Sequence, residues 1–390
     1  MKSKVNSRLF KERTGVYIIG EHRYDNKWDA MIKASELNTN FRYEFAPEVF
    51  NKIDWTIPIE ISLDELYRMR LQQLRDEYDH LTLFFSGGKD SLNILMTSIK
   101  NNILIDEIVV YYPFAMEKYF NKHELDADNL YSEVEFAAKP LLKQLENQID
   151  KRTKIRFQDN GHTNAEFLKN EDWFDLVRPS NTLQMVSPIY GSVCDPNFSN
   201  LAMQGKHSAI ITGADKPRIV EMDRVFFFTF SDPGFNTISR PKSEEMKVLF
   251  GENVCFEAFY HTPFLPELVV KQAQVAAAAY DTDAYLRNVE KIYAHDMNIA
   301  MSERETILAK ILYSDGIQPW QTRKHRKDLI RRGEKVVWET LTNDMKFNYT
   351  NGVKSITSRV DKRFFVDGDY IKGPKPSVSR LYQLKFATYQ

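Results

Sequence analysis

The chain has 390 residues, 43% hydrophobic and 27% charged, a balance that can bury a core and excludes a disordered or fibrous chain. Its formal net charge of −1 excludes bulk electrostatic adhesion to nucleic acid and leaves only a local basic face for that purpose. At this length a single core usually stops growing, so at least two domains are expected.

The N-terminal MKSKVNSRLF lacks the apolar stretch of a signal peptide, and no apolar run of about 18 residues follows, so a cytoplasmic protein outside the membrane is expected. Residues 1–60 read as an α+β extension, with strand-like Gly15–Gly20 and Phe41–Phe45 and a helix over Trp28–Leu37. Ser62-Leu63-Asp64-Glu65 is a capping box, S-x-x-E, ahead of a helix with Leu63, Leu66, Tyr67, Leu71 and Leu74 on one face. An α/β alternation follows. Strand Leu81–Phe85 precedes a helix with Leu92, Leu95, Met96 and Ile99 at helical spacing. Glu107–Tyr112 is a continuous apolar run ending before Pro113, as a parallel strand covered on both faces requires. Asp128–Ile149 reads as helical with an interruption at Pro140, and Lys154–Gln158 as a strand. A loop-rich stretch and a short helix near Asn200–Lys206 lead to strand Ser208–Thr212. This order predicts a doubly wound parallel sheet over residues 61–240.

The region 241–390 reads as mainly helical, with helices over Pro266–Ala279 and Asp283–Met301, and as a substrate or oligomerisation region. A further strand is expected at Val225–Phe230, and a hairpin in Phe364–Tyr370 around Asp367-Gly368. Homodimerisation is left open. Cys194 and Cys255 form no C-x-x-C pair and cannot make a four-cysteine metal site, so buried thiols are expected.

The most informative stretch is LTLFFSGGKDS, Leu81–Ser91. A buried strand runs into a glycine loop and a helix N-terminus, where backbone N–H groups can hold phosphate. A Walker A loop needs G-x-x-x-x-G-K-[ST], but Leu83 stands at the first glycine and Asp90 follows Lys89. Ser86-Gly87-Gly88-Lys89-Asp90-Ser91 instead resembles the SGGxDS pyrophosphate loop of the PP-loop ATP pyrophosphatases, which include asparagine, GMP and NAD synthetases, tRNA-modifying ligases and sulfate-activating enzymes. The resemblance covers about Leu81 to Arg218. It implies a Rossmann-like fold of the adenine nucleotide alpha-hydrolase type, with ATP and Mg²⁺ as cofactors. ATP would be cleaved between its α and β phosphates and AMP passed to a carboxylate or carbonyl oxygen.

Under that resemblance, Gly87 and Gly88 let backbone amides approach the pyrophosphate, Ser86 and Ser91 add hydroxyl donors, and Lys89 fills the variable position. Asp90 is the expected magnesium ligand, joined by Asp215. Gly213 and Asp215 lie in the loop after Ser208–Thr212, and Lys216 and Arg218 of that loop are the expected catalytic cations, stabilising charge on leaving pyrophosphate. Tyr111 and Tyr112 end the strand where family members hold adenine through backbone groups. Each has an ordinary alternative: a glycine turn capping a helix, a solvated loop, or core tyrosines. Asp159, Asn160 and His162 could face substrate, although a lone histidine is more often structural. The basic run Arg323–Arg332 could contact nucleic acid or lie on a solvated helix face.

The cysteine count argues against the zinc-dependent deazaguanine enzymes, the phosphosulfate reductases and the cysteine-dependent sulfur-inserting enzymes. Lys2 rather than cysteine after Met1 argues against an attached glutaminase. An asparagine-synthetase-like ligase taking ammonia or an amine is the leading expectation, with ATP and a small-molecule or nucleobase acceptor as partners. A cysteine-independent nucleobase modifier and a non-catalytic nucleotide binder are the alternatives.

Overall fold

The first described strand, β1 (Gly15–Ile19), is buried at all five positions and lies between β2 (His22–Tyr24) and β3 (Arg42–Phe45), antiparallel to both. The computed structural model describes residues 15–112, 134–159, 167–169, 171, 196–213, 216–232, 254–295, 297–313, 338–339, 341–370 and 373–388. Helix α1 (Lys27–Glu36) follows β2, with Asn26 accepting from the Trp28 amide at its start. The short α2 (Pro47–Phe50) follows β3. Ser62 caps α3 (Leu63–Glu77) through the Glu65 amide at 3.2 Å, while the Glu65 carboxylate turns to Arg68, so only half of the capping box forms.

From α3 the chain builds a five-stranded, wholly parallel sheet. Strand β4 (His80–Phe84) leads into α4 (Lys89–Asn101) and then β5 (Glu107–Tyr112). Past a π turn at Val134–Ala138, α5 (Lys139–Leu145) takes Pro140 into its first turn, where no intrahelical N–H is required, and β6 (Lys154–Asp159) follows. Helix α6 (Pro196–Met203) precedes β7 (Ser208–Thr212), whose five residues are all buried. The order is β10-β7-β4-β5-β6, with β10 at Val254–Ala258. The first three strands thus step outward in one direction, and the chain then returns to the other side of β4. Such a sheet is compatible with a Rossmann-like fold, and its order reverses between β4 and β7.

Between β7 and β10 the chain leaves this sheet. Strands β8 (Arg218–Met222) and β9 (Val225–Thr229) form a hairpin whose two-residue turn, Asp223-Arg224, has positive φ at both positions. Strand β11 (Tyr382–Phe386) joins β9 to complete a second antiparallel sheet. Three helices pack together after β10: α7 (Pro266–Thr282), α8 (Ala284–His295) and α9 (Met297–Leu312). Thr342 then caps α10 (Asn343–Thr357).

The core is continuous across these parts. Trp55 stacks on Tyr382 at 4.6 Å and on Phe228 at 5.0 Å, and Phe230 meets Phe45 at 4.6 Å. A buried polar knot ties the same regions. Asp232 accepts from Tyr17 and Lys27 through one oxygen and from the Ser377 amide through the other, and Lys27 also donates to the Lys375 carbonyl. Under the parallel sheet, the buried Arg70 of α3 pairs with Glu257 of β10 at 2.8 Å.

Several expectations need correction. Residues 364–370 are not a hairpin: 3₁₀ turns occupy Lys362–Phe364 and Val366–Gly368, and the chain pairs back only through a single Phe365–Pro374 bridge. Asp367 and Gly368 do carry the positive φ that suggested a turn. The single helix expected over Asp283–Met301 is instead two, α8 ending at His295 and α9 running from Met297 to Leu312. Among the described residues, no helix is long and apolar enough to cross a membrane.

Candidate active site at the strand-order reversal

The SGGKDS loop leaves β4 beside the neighbouring strand, with the Phe85 amide still donating to the Val109 carbonyl at 3.0 Å. Gly87 takes φ +79°, and a Cβ there would lie 2.5 Å from the Ala138 backbone nitrogen, so both conformation and space demand glycine. Gly88 precedes α4 as a cap with no side chain to offer, which leaves the first amides of a 13-residue helix for an anion. Its own amide donates to Ser86 Oγ at 3.2 Å, and Ser91 Oγ donates back to the Gly88 carbonyl at 3.1 Å. The two hydroxyls therefore brace the loop.

Asp90, in the first turn of α4, is the hub. Its two carboxylate oxygens accept from Lys216 Nζ at 2.7 and 2.9 Å, and Tyr313 donates its hydroxyl to one of them. Tyr260 donates to the Asp90 backbone carbonyl at 2.7 Å and receives Asn93 in turn. Lys216 follows β7, on the opposite side of the reversal, and reaches Asp90 because the chain there is drawn in tightly. A Cβ on Gly213 would lie 3.0 Å from the Asp90 carbonyl carbon and 3.1 Å from its Cβ.

The third Lys216 contact is Glu305 of α9, at 2.6 Å, so every ammonium proton has an acceptor. Glu305 is held through its other oxygen by Arg304 at 2.8 Å. The nearly buried Arg304 also donates to Glu290 of α8 at 2.6 Å and to the Pro217 carbonyl at 2.9 Å. Tyr280 of α7 donates to Glu290. Three carboxylates and two cations thus alternate from α8 to α4. The ammonium lies beneath its acids: the Lys216 side chain is 2% exposed, against 25% for Asp90 and 31% for Glu305.

Burial opposes charge on Lys216, but Asp90 and Glu305 outweigh it and hold its pKa above the ordinary lysine value. Burial likewise disfavours the Glu305 carboxylate, yet Lys216 and Arg304 bring it below the usual range. Tyr260 and Tyr313 are pushed well above the tyrosine range, first by burial and then by the Asp90 charge, and stay protonated donors.

The other sequence candidates are less closely involved. Lys89 opens α4 beside Asp90. Tyr111 packs edge-on against Phe84 at 4.9 Å at the carboxyl end of β5, and Tyr112 is the last residue of that strand. Arg218 begins β8 opposite Thr229 and, among the described residues, takes no part in the ion-pair cluster. Its place in a second sheet follows from the chain entering a strand, not a helix, after Pro217. Asp159 ends β6. Asp215, Asn160, His162, Cys194 and the Arg323–Arg332 run lie outside the described residues, whereas Cys255 is a buried thiol.

Sequence reasoning missed Glu305, Arg304, Glu290, Tyr260 and Tyr313. One signal was present: Arg304, Leu308 and Leu312 recur every fourth residue on α9, and all three are buried. A cation on an apolar stripe calls for an anionic partner. Among the described residues, no group of three or more His, Cys, Asp or Glu forms a metal cage. The donor set does fit Mg²⁺ held mainly by phosphate oxygens plus one carboxylate, Asp90, provided the metal displaces the ammonium from its oxygens.

No protein-family model matches the sequence, and no curated protein matches it.

Proposed function

We propose that the chain is an ATP-dependent synthetase of the PP-loop ATP pyrophosphatase type, with a sheet of the adenine nucleotide alpha-hydrolase kind. The observation that carries this reading is the 2.7 Å contact between Asp90 of the SGGKDS loop and Lys216 after β7, across the point where strand order reverses. An uncapped helix N-terminus, a left-handed glycine, a carboxylate and a lysine meet there. These are the groups that polyphosphate cleavage needs: amides for the pyrophosphate oxygens, an acid for magnesium and a cation for the leaving group.

In this reading the acceptor's carboxylate or carbonyl oxygen bonds to the α-phosphorus as the bond from that phosphorus to the β-bridging oxygen breaks. Pyrophosphate leaves with the bridging oxygen, and ammonia or an amine then displaces AMP from the activated carbon. Magnesium, when bound, neutralises phosphate charge. The amides of Gly87 and the first turn of α4 orient the β and γ phosphates. Lys216 follows the charge that develops on pyrophosphate, and the Tyr313 hydroxyl holds the Asp90 carboxylate in place. A cytoplasmic setting, where ATP and Mg²⁺ are at hand, suits this chemistry.

The test is product analysis with Mg-ATP, ammonia and a panel of carboxylate acceptors. Pyrophosphate and AMP are expected in equal amounts; ADP and orthophosphate would overturn the reading. Asp90→Ala is expected to lower pyrophosphate release about 100-fold or more, and unchanged turnover would remove the metal assignment.

A further inference from the structure

We propose that Glu305 is a positioning residue whose task is to keep Lys216 in its buried seat beside the SGGKDS loop when Asp90 is given over to magnesium. This rests on the synthetase reading and adds to it a residue outside the motif, more than 200 positions away in sequence.

Lys216 spends two of its three protons on Asp90 and one on Glu305. An ammonium almost wholly removed from water needs an anion beside it at every stage of a reaction, because an unpaired buried charge is strongly disfavoured. If the Asp90 oxygens turn to a metal, Lys216 loses two acceptors and gains a cation as neighbour. Among the described residues, Glu305 is then the carboxylate still bonded to it.

Glu305 is built to stay. Its second oxygen is held by Arg304, and Arg304 is fixed by Glu290 and by the carbonyl of Pro217, the residue next to Lys216 itself. The same guanidinium therefore fixes both the acid and the backbone that carries the lysine. The Lys216 ammonium also lies 5.8 Å from the centre of the Tyr313 ring. With Glu305 as pivot, the two protons released from Asp90 can turn to phosphate oxygens without the ammonium leaving its seat. Lys216 exchanges a carboxylate for the anion in front of it, and Glu305 holds it through the exchange.

The test compares wild type with Glu305→Gln, Lys216→Met and the double variant. Glutamine keeps an acceptor for both Lys216 and Arg304 but removes the charge. Two readouts are needed: steady-state pyrophosphate release from Mg-ATP, and calorimetric affinity for inorganic pyrophosphate with Mg²⁺, which requires no turnover. We expect Glu305→Gln to lower kcat about 30-fold or more with KM for ATP changed less than about threefold, since the interaction acts on the leaving group. Pyrophosphate affinity should fall about tenfold, and Lys216→Met should fall as far with no further loss in the double variant. Additive losses, or wild-type pyrophosphate affinity in Glu305→Gln, would overturn the proposal. If wild type binds pyrophosphate through this coupled pair yet releases none from ATP, the synthetase reading fails and the positioning role stands. If wild type fails to bind pyrophosphate, the positioning role fails whatever the turnover. Unfolding curves for each variant separate these losses from misfolding.

Discussion

At residue 261 an imidazole is enclosed by aromatic rings, 5.8 Å from Phe230 and 6.3 Å from Phe228. Burial pushes its pKa from 6.5 down to about 4. As pH falls below about 6.5 the unfolded chain takes up a proton that the folded chain refuses until about pH 4, so stability declines across that window. The expected loss is about 2 kcal/mol between pH 7 and pH 5, read from urea unfolding at the two pH values. His261→Gln should flatten that slope. A smaller part will persist because burial also lowers His80; an unchanged slope would refute the assignment. Residues differ in how much the sequence reveals of their role. Gly87 was legible, because two adjacent glycines after a strand mark a backbone that needs positive φ. Gly213 was expected as a nucleotide contact. What the structure gives it is room for the Asp90 backbone, a demand set by a distant residue that no local pattern carries.

Among elements, the parallel strands were the readable ones. β5 and β7 are short apolar runs closed by turn signals, the pattern of strands covered on both faces. The hairpin β8–β9 was read only in part. Arg218–Met222 has one fully buried residue, and its turn, Asp223-Arg224, reaches the left-handed region without glycine. Helix α10 escaped notice because Asn343–Thr357 carries Gly352, Val353 and several asparagines and threonines, all weak helix formers; its place comes from packing and its Thr342 cap. Element-level packing also makes the site vulnerable at a distance. Arg304 joins α8, α9 and the residue before β8, and is 3% exposed. Replacing it with methionine takes a cation from Glu290 and, among the described residues, leaves Glu305 with Lys216 alone. The expected cost is about 3–5 kcal/mol, measured as a lower denaturation midpoint. A change below about 1 kcal/mol would show that those acids are adequately hydrated without it.

For the whole molecule, the sheet at the site and the sheets away from it share one aromatic core, and the segments at 15–55 and 373–388 meet within it. The Asp232 knot is the polar part of that union. Asp232→Asn leaves Lys27 buried beside a neutral amide and should destabilise the protein by about 3 kcal/mol or more. Combining it with Lys27→Met should recover part of that loss, because the uncompensated charge is then gone. Thermal melts of the single and double variants decide this; equal losses in both would mean that Lys27 contributes by packing alone. None of this was legible in the sequence. Lys27 and Asp232 are ordinary polar residues until the fold brings them to 2.6 Å.

The Lys27–Lys375 bond spans 348 residues, which gives it a consequence for biogenesis. At about 5–20 residues per second, roughly 20–70 s pass between synthesis of the lysine and synthesis of its last acceptor. During that interval the amine of α1 has no finished pocket, and the bond from Tyr17 of β1 to Asp232 cannot form before residue 232 is made. Stalled nascent chains ending before Asp232 are expected to be cut within α1 by a protease that spares the completed protein; protection at that length would refute this. The α1 segment is thus made long before it is secured, and the growing chain must shelter it across the 348 residues between.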